Sequence, residues 1–203
     1  MVLRGENMII TNSMAKKNLF KISNKNKKIS NDIKEGKLYK IIKGLYETDP
    51  NTPEYLLAGC IYGPSYISFD YALAKYGLIP EKVNVITCAT CDKKKKKEYC
   101  TQFGTFTYRD VPSSVYPEEI ILKKENNYSY QIATPEKALC DKLYTLNPLK
   151  NYFELENMLF NDLRIDRDEF KKMDTQKIEK INTLYHSTNV DLLSKYLRRE
   201  KNE

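Results

Sequence analysis

The sequence predicts an α+β protein in two parts: a short basic segment over residues 1–48, and a larger α+β domain with antiparallel strands and a helical C-terminal region over residues 49–203. Three observations predict it. β-Prone runs bounded by turn residues fill residues 83–132, as expected of strands and hairpins. From residue 150 onward, helical spacing recurs with capping residues ahead of the runs. The charge is also uneven. Residues 1–47 hold Arg4 and ten lysines against Glu6, Asp32, Glu35 and Glu47, an excess equal to the formal +7 of the whole 203-residue chain.

Residues 1–12 read as poorly ordered. From Ser13 to about Glu35 one or two short helices are expected, with Leu19, Phe20, Ile22, Ile29 and Ile33 as apolar positions. Ile29 and Ile33 are four apart and share a helical face. Gly36 then ends the segment. Lys37–Thr48 (KLYKIIKGLYET) reads as a hairpin whose tight turn is Lys43-Gly44, because glycine permits a positive φ. A helix, a glycine stop and a basic hairpin form the pattern of a winged helix-turn-helix ending in its wing. Lys25, Lys27, Lys28, Lys34, Lys37, Lys40 and Lys43 are candidate phosphate contacts, and Asn26 and Asn31 are candidate adenine readers. Only about 35 residues precede Lys37, which leaves room for two helices where the full fold has three.

Thr52-Pro53-Glu54 predicts a helix to about Tyr62 with proline at its first position. Ser68 is the candidate cap of the next helix, which Gly77 closes in the left-handed conformation and Pro80 stops. Val83–Cys91 and Thr101–Arg109 are predicted strands joined by a charged tip, Asp92–Glu98. Glu119–Lys124 and Tyr128–Ala133 form a second predicted hairpin around Asn126-Asn127. Thr134-Pro135 opens a helix running to about Leu146. Helices over about 150–161, 167–173, 176–186 and 189–199 complete the chain, with Asp166 as a cap and Glu169 three residues on.

Composition excludes several classes. A hydrophobic content of 41% and a charged content of 30% suit a folded core rather than a disordered chain. No apolar run approaches the roughly 18–20 residues that cross a bilayer. The N-terminus shows no apolar stretch ahead of a small-residue cleavage site, so a cytoplasmic protein without a membrane partner is expected. The five cysteines (Cys60, Cys88, Cys91, Cys100, Cys140) are expected as free thiols, with Cys88, Cys91 and Cys100 buried or half-buried. The seven glycines include no GxG and no Walker pattern, so no nucleotide cofactor is expected.

The remaining constellations each have two readings. Lys93, Lys94, Lys95, Lys96 and Lys97, with Arg109, form either a second polyanion-binding patch or a solvated tip that blunts an edge. Cys88-Ala-Thr-Cys91 has zinc spacing but lies in a predicted strand, where residues three apart face opposite sides, so no metal site is expected. Asp166-Arg-Asp168 has the spacing of metal-binding carboxylates in nucleotidyl transfer, but a helix cap explains Asp166. A metal-dependent nucleic-acid-processing enzyme using Asp166 and Asp168 is therefore the least favoured reading. His186, the lone histidine, reads as a helix-end residue.

Three blocks carry more information together: Tyr66–Thr87 (YISFDYALAKYGLIPEKVNVIT), Phe103–Asp110 (FGTFTYRD) and Ala133–Tyr144 (ATPEKALCDKLY). Their order and spacing resemble the AbiEi family of abortive-infection antitoxins, and Gly36–Thr48 resembles the end of that family's N-terminal winged helix. The resemblance covers about Gly36–Tyr144. It implies an N-terminal module that binds operator DNA and represses its own operon. It also implies a C-terminal antitoxin domain that opposes an AbiEii-type nucleotidyltransferase toxin without a stable complex, in a type IV system. It implies no enzymatic activity. A shortened relative that keeps antitoxicity but lacks specific DNA binding is the alternative.

Overall fold

The computed structural model describes residues 8–17, 19 and 22–202; Arg4, Phe20 and Lys21 fall outside the described residues. The chain folds as an α+β protein with one small and one large sheet.

In the N-terminal part, β1 (Ile9–Thr11), α1 (Asn12–Lys17) and α2 (Lys25–Lys34) precede a hairpin of β2 (Tyr39–Ile42) and β3 (Leu45–Glu47). The hairpin turns at Lys43-Gly44, as expected, with Gly44 at φ +85°. The strand β1 was not anticipated, and it corrects the expectation of disorder for the described part of residues 1–12. Ile9–Thr11 pairs antiparallel with Leu45–Glu47, giving the order β1-β3-β2. The strand β3 alternates between two cores. Tyr46 joins Ile10, Ala15 and Ile29 beneath α2, whereas Leu45 joins Ile41 in the large core that runs through the rest of the molecule. The small sheet is thus a shared wall. A hydrogen bond of 3.0 Å from Gln102 Nε2 to the Lys40 carbonyl fastens it to the larger sheet.

The predicted helix at Pro53 is instead a 3-10 turn over Glu54–Leu57 followed by α3 (Ala58–Ile61), with Pro53 lying just outside it. Beyond it come β4 (Tyr66–Ile67), α4 (Phe69–Lys75), β5 (Val85–Thr90), β6 (Lys97–Thr101), β7 (Gly104–Asp110), β8 (Ile120–Glu125), β9 (Tyr128–Ala133) and α5 (Pro135–Tyr144). The six strands form one sheet in the order β6-β7-β5-β4-β9-β8. The sequence predicts antiparallel strands here, but the sheet is mixed: β5–β7 and β4–β9 are parallel. The reason is β6. Its first two residues, Lys97 and Glu98, read as the end of the charged tip and Thr101 as the start of the next strand, yet Lys97–Thr101 is a strand of its own that folds back on β7 and takes the sheet edge, leaving β7 to run alongside β5.

Helix α4 ends as predicted. Gly77 sits at φ +73°, and the Leu78 amide bonds the Leu73 carbonyl at 2.9 Å. Its start differs. Ser68 occupies the cap position but makes no capping bond. Thr87 of β5 serves instead: its hydroxyl accepts from the Tyr71 amide at 3.0 Å and donates to the Ser68 carbonyl at 2.6 Å. Phe69, buried at the junction, is held at φ +54°, a conformation that costs an aromatic residue about 1–3 kcal/mol.

Thr134 caps α5 as expected, accepting from the Lys137 amide at 3.3 Å. The C-terminal run consists of α6 (Tyr152–Glu156), which continues as a π-helical segment over Asn157–Asp162, then α7 (Arg167–Lys171), α8 (Thr175–Tyr185) and α9 (Thr188–Asn202). This run is bound into the core through Asn189 at the start of α9. Its amide donates to the carbonyls of Leu143 (3.0 Å) and Asn147 (3.0 Å) and accepts from the Leu149 amide at 2.7 Å. One side chain thereby satisfies groups left open where α5 ends.

Candidate nucleic-acid interface

Helix α2 forms because Asn24 caps it, accepting from the Lys27 amide at 3.0 Å, and because Ile29 and Ile33 meet the small core on one side. The outward side carries Lys27, Ser30, Asn31 and Lys34, all exposed, while Asn26 is exposed at the helix start on the flank nearer the core. The two acids beside this face are paired. Asp32 is turned toward Lys28, whose ammonium it holds at 2.6 Å, and that bond raises the Lys28 pKa. Glu35 is paired with Lys37, which lowers the Glu35 pKa.

The nine predicted residues therefore divide. Lys27, Asn31 and Lys34 come together on α2, Asn26 is exposed at the helix start but on the flank nearer the core, and Lys40 and Lys43 are exposed on the adjoining hairpin. Lys28 and Lys37 are engaged by neighbouring carboxylates, and Lys25 is half-buried. Ser30 was overlooked; its position four residues after Asn26 was the available signal.

The second basic patch divides in the same way. Lys93 folds back, its ammonium 3.1 Å from the Gly63 carbonyl and 5.3 Å from the Tyr62 ring centre. The Lys94 amide donates to Asp110 at 2.6 Å, which fixes the turn and leaves the side chains of Lys94–Lys97 exposed. Arg109 lies half-buried in β7, opposite Ala89.

A third constellation was not anticipated. Lys137 and Asp141, both inside the ATPEKALCDKLY block, are fully buried one turn apart on α5. The Lys137 ammonium donates to the Val115 carbonyl (3.0 Å) and the Tyr185 hydroxyl (3.0 Å), and lies 3.3 Å from Asp141. Asp141 accepts from Tyr185 (2.6 Å), Ser68 (2.6 Å) and Tyr66 (2.9 Å). Burial lowers the Lys137 pKa against the opposing pull of Asp141, and burial raises the pKa values of Tyr66 and Tyr185. The residue types would suit acid–base chemistry, but the group lacks access. Tyr66, Ser68, Tyr185, Lys137 and Asp141 are all 2% exposed or less. Its role is to join β4, α4, α5, α8 and the loop at Val115.

Asp166 caps α7, accepting from the Asp168 and Glu169 amides at 2.9 Å. Glu169 pairs with Lys172 at 2.6 Å. All five cysteines are free, as expected; Cys88 and Cys140 are buried, Cys91 is half-buried and Cys60 is exposed, and Cys100 is exposed too, contrary to expectation. Among the described residues no group of three or more histidine, cysteine, aspartate or glutamate side chains is placed to hold a metal ion. None of the described helices is long and apolar enough to cross a membrane.

No family model and no curated protein matches this chain. Its functional reading therefore rests on its own residues and on the resemblance of its sequence blocks.

Proposed function

We propose that this chain is a DNA-binding regulator that also serves as the antitoxin of a type IV toxin–antitoxin pair. The observation that carries the DNA-binding half is the exposed face of α2. Lys27, Ser30, Asn31 and Lys34, each able to contact phosphate or a base edge, lie together with the neighbouring acids paired, beside a hairpin tipped by Lys43. The order of α1, α2 and the β2–β3 hairpin supports docking as a winged helix-turn-helix, with α2 in the major groove and Lys40 and Lys43 at the backbone. Lys94–Lys97 offers further phosphate contacts. Neutralised phosphates supply the affinity, so binding weakens steeply with salt.

The antitoxin half rests on the three AbiEi-like blocks. They supply β4, α4, the first half of β5, β7 and α5, which belong to the middle of the large sheet and the helices packed on it. The protein acts without catalysis of its own and opposes a nucleotidyltransferase toxin from the neighbouring gene.

Two measurements on the full-length chain test the proposal. Binding to duplex from its own upstream region is compared with binding to random duplex across a salt series. Equal affinity for both removes operator recognition. Growth is then followed while the neighbouring gene is induced with and without this chain. A toxic neighbour that the soluble chain fails to oppose removes the antitoxin role.

A second reading keeps the antitoxin and drops specific DNA binding. Among the described residues, α1 and α2 are the helices between β1 and the hairpin, one fewer than the full module has. Protection against the toxin together with an unrepressed promoter would select it.

A further inference from the structure

Resting on the DNA-binding reading, we infer that Asn31 is the base-reading residue of α2 and that it takes adenine. The argument comes from helix geometry. Ile29 and Ile33 both meet the small core. Asn31 is two residues from each, and at about 100° per residue that sets it opposite the core, on the most outward line of the helix. Lys27 and Lys34 lie one turn to either side of it on the same outward ridge, and all three are exposed. Asn26 is three residues before Ile29 and seven before Ile33, which places it toward the core-facing flank; it is exposed because it opens the helix.

The chemistry follows from the position. An asparagine amide offers a donor and an acceptor side by side, matching N7 and the N6 amino group of adenine in the major groove. The ridge carries no arginine, the commonest partner of guanine. Among the described residues the Asn31 side chain makes no hydrogen bond within the protein, and the nearby acids Asp32 and Glu35 are held by Lys28 and Lys37. Lys27 and Lys34 would then reach phosphates on either side of the base that Asn31 reads.

The test uses the full-length chain and selection from a library of random duplexes, followed by affinities for the selected duplex with each base substituted in turn. The expected result is one position where adenine is preferred on the order of 5- to 150-fold. That preference disappears in Asn31→Ala while salt-dependent duplex binding remains, survives in Asn26→Ala, and moves to guanine in Asn31→Arg. Unchanged circular dichroism of these surface variants confirms that α2 is intact. Duplex binding with no adenine-dependent position, or with one that persists in Asn31→Ala, overturns the inference and leaves the DNA-binding reading in place. Failure to bind any duplex overturns both.

Discussion

The Lys137 ammonium lies 3.3 Å from the Asp141 carboxylate, one helical turn away on α5, and neither side chain touches solvent. With Tyr66, Ser68 and Tyr185 around them, each charge is neutralised and hydrogen-bonded, which is what makes a buried ion pair tolerable. Removing one partner strands the other. Lys137→Met and Asp141→Leu are each expected to cost about 3–5 kcal/mol, a large part of the roughly 5–15 kcal/mol that holds a domain together. The double variant is expected to lose less than the sum of the two. Urea unfolding of the four proteins completes the cycle, and additive losses would show that the pair is not coupled.

Asn189 is expected to behave as a clasp between α9 and the end of α5. Asn189→Ala leaves the carbonyls of Leu143 and Asn147 and the amide of Leu149 without that partner. A loss of about 1–3 kcal/mol follows if these groups stay buried. Urea unfolding reads the loss, and no change would mean that water replaces the amide.

Charge placement on α2 predicts the salt dependence of the proposed duplex binding. Lys27→Gln and Lys34→Gln each remove an exposed cation that has no carboxylate partner among the described residues, and should lower the log–log salt slope by about 0.9. Lys93→Gln should leave the slope unchanged, because that ammonium is held at the Gly63 carbonyl. Fluorescence anisotropy across a salt series measures all three. An equal effect at Lys93 would remove the distinction between the two patches.

Tyrosine ionisation should be delayed and coupled to unfolding. Burial pushes Tyr76, Tyr116 and Tyr128 up to about 12, and it also raises Tyr66, Tyr108 and Tyr185 well above the usual tyrosine value. A raised folded pKa means that the native state holds these protons more tightly than the unfolded chain does. Their contribution to stability is complete below the unfolded value near 10 and falls as pH rises through 12 and beyond. Ultraviolet titration should show a fraction of the sixteen tyrosines ionising late and together with loss of ellipticity. Smooth titration of all of them near pH 10 in a folded protein would contradict the burial described.

Much of the architecture was legible where neighbours in sequence settle the matter. Gly77 followed by Pro80, Thr134 followed by Pro135, and the turns at Lys43-Gly44 and Asn126-Asn127 each fix a chain boundary within a few residues. The candidate interface was partly legible for the same reason. The basic excess and the Ile29–Ile33 spacing marked α2, but sequence alone could not say that Lys28 and Lys37 would be taken up by Asp32 and Glu35.

By itself the sequence determined the α+β class, the glycine stop of α4, the Thr134 cap of α5, the tight turns and the charged N-terminal part, because propensity, capping and turn chemistry act within about one turn of chain. Only the tertiary structure decided the rest. It set β5 parallel to β7, drew β1 onto β3, and gave the α4 cap to Thr87 rather than Ser68. It also closed Asp141 onto a serine 73 residues away. Strand pairing and the satisfaction of buried polar groups depend on which distant residues meet when the core forms. A serine that could cap a helix bonds a buried carboxylate instead, because an unsatisfied charge in the interior costs more than a cap that another hydroxyl can supply.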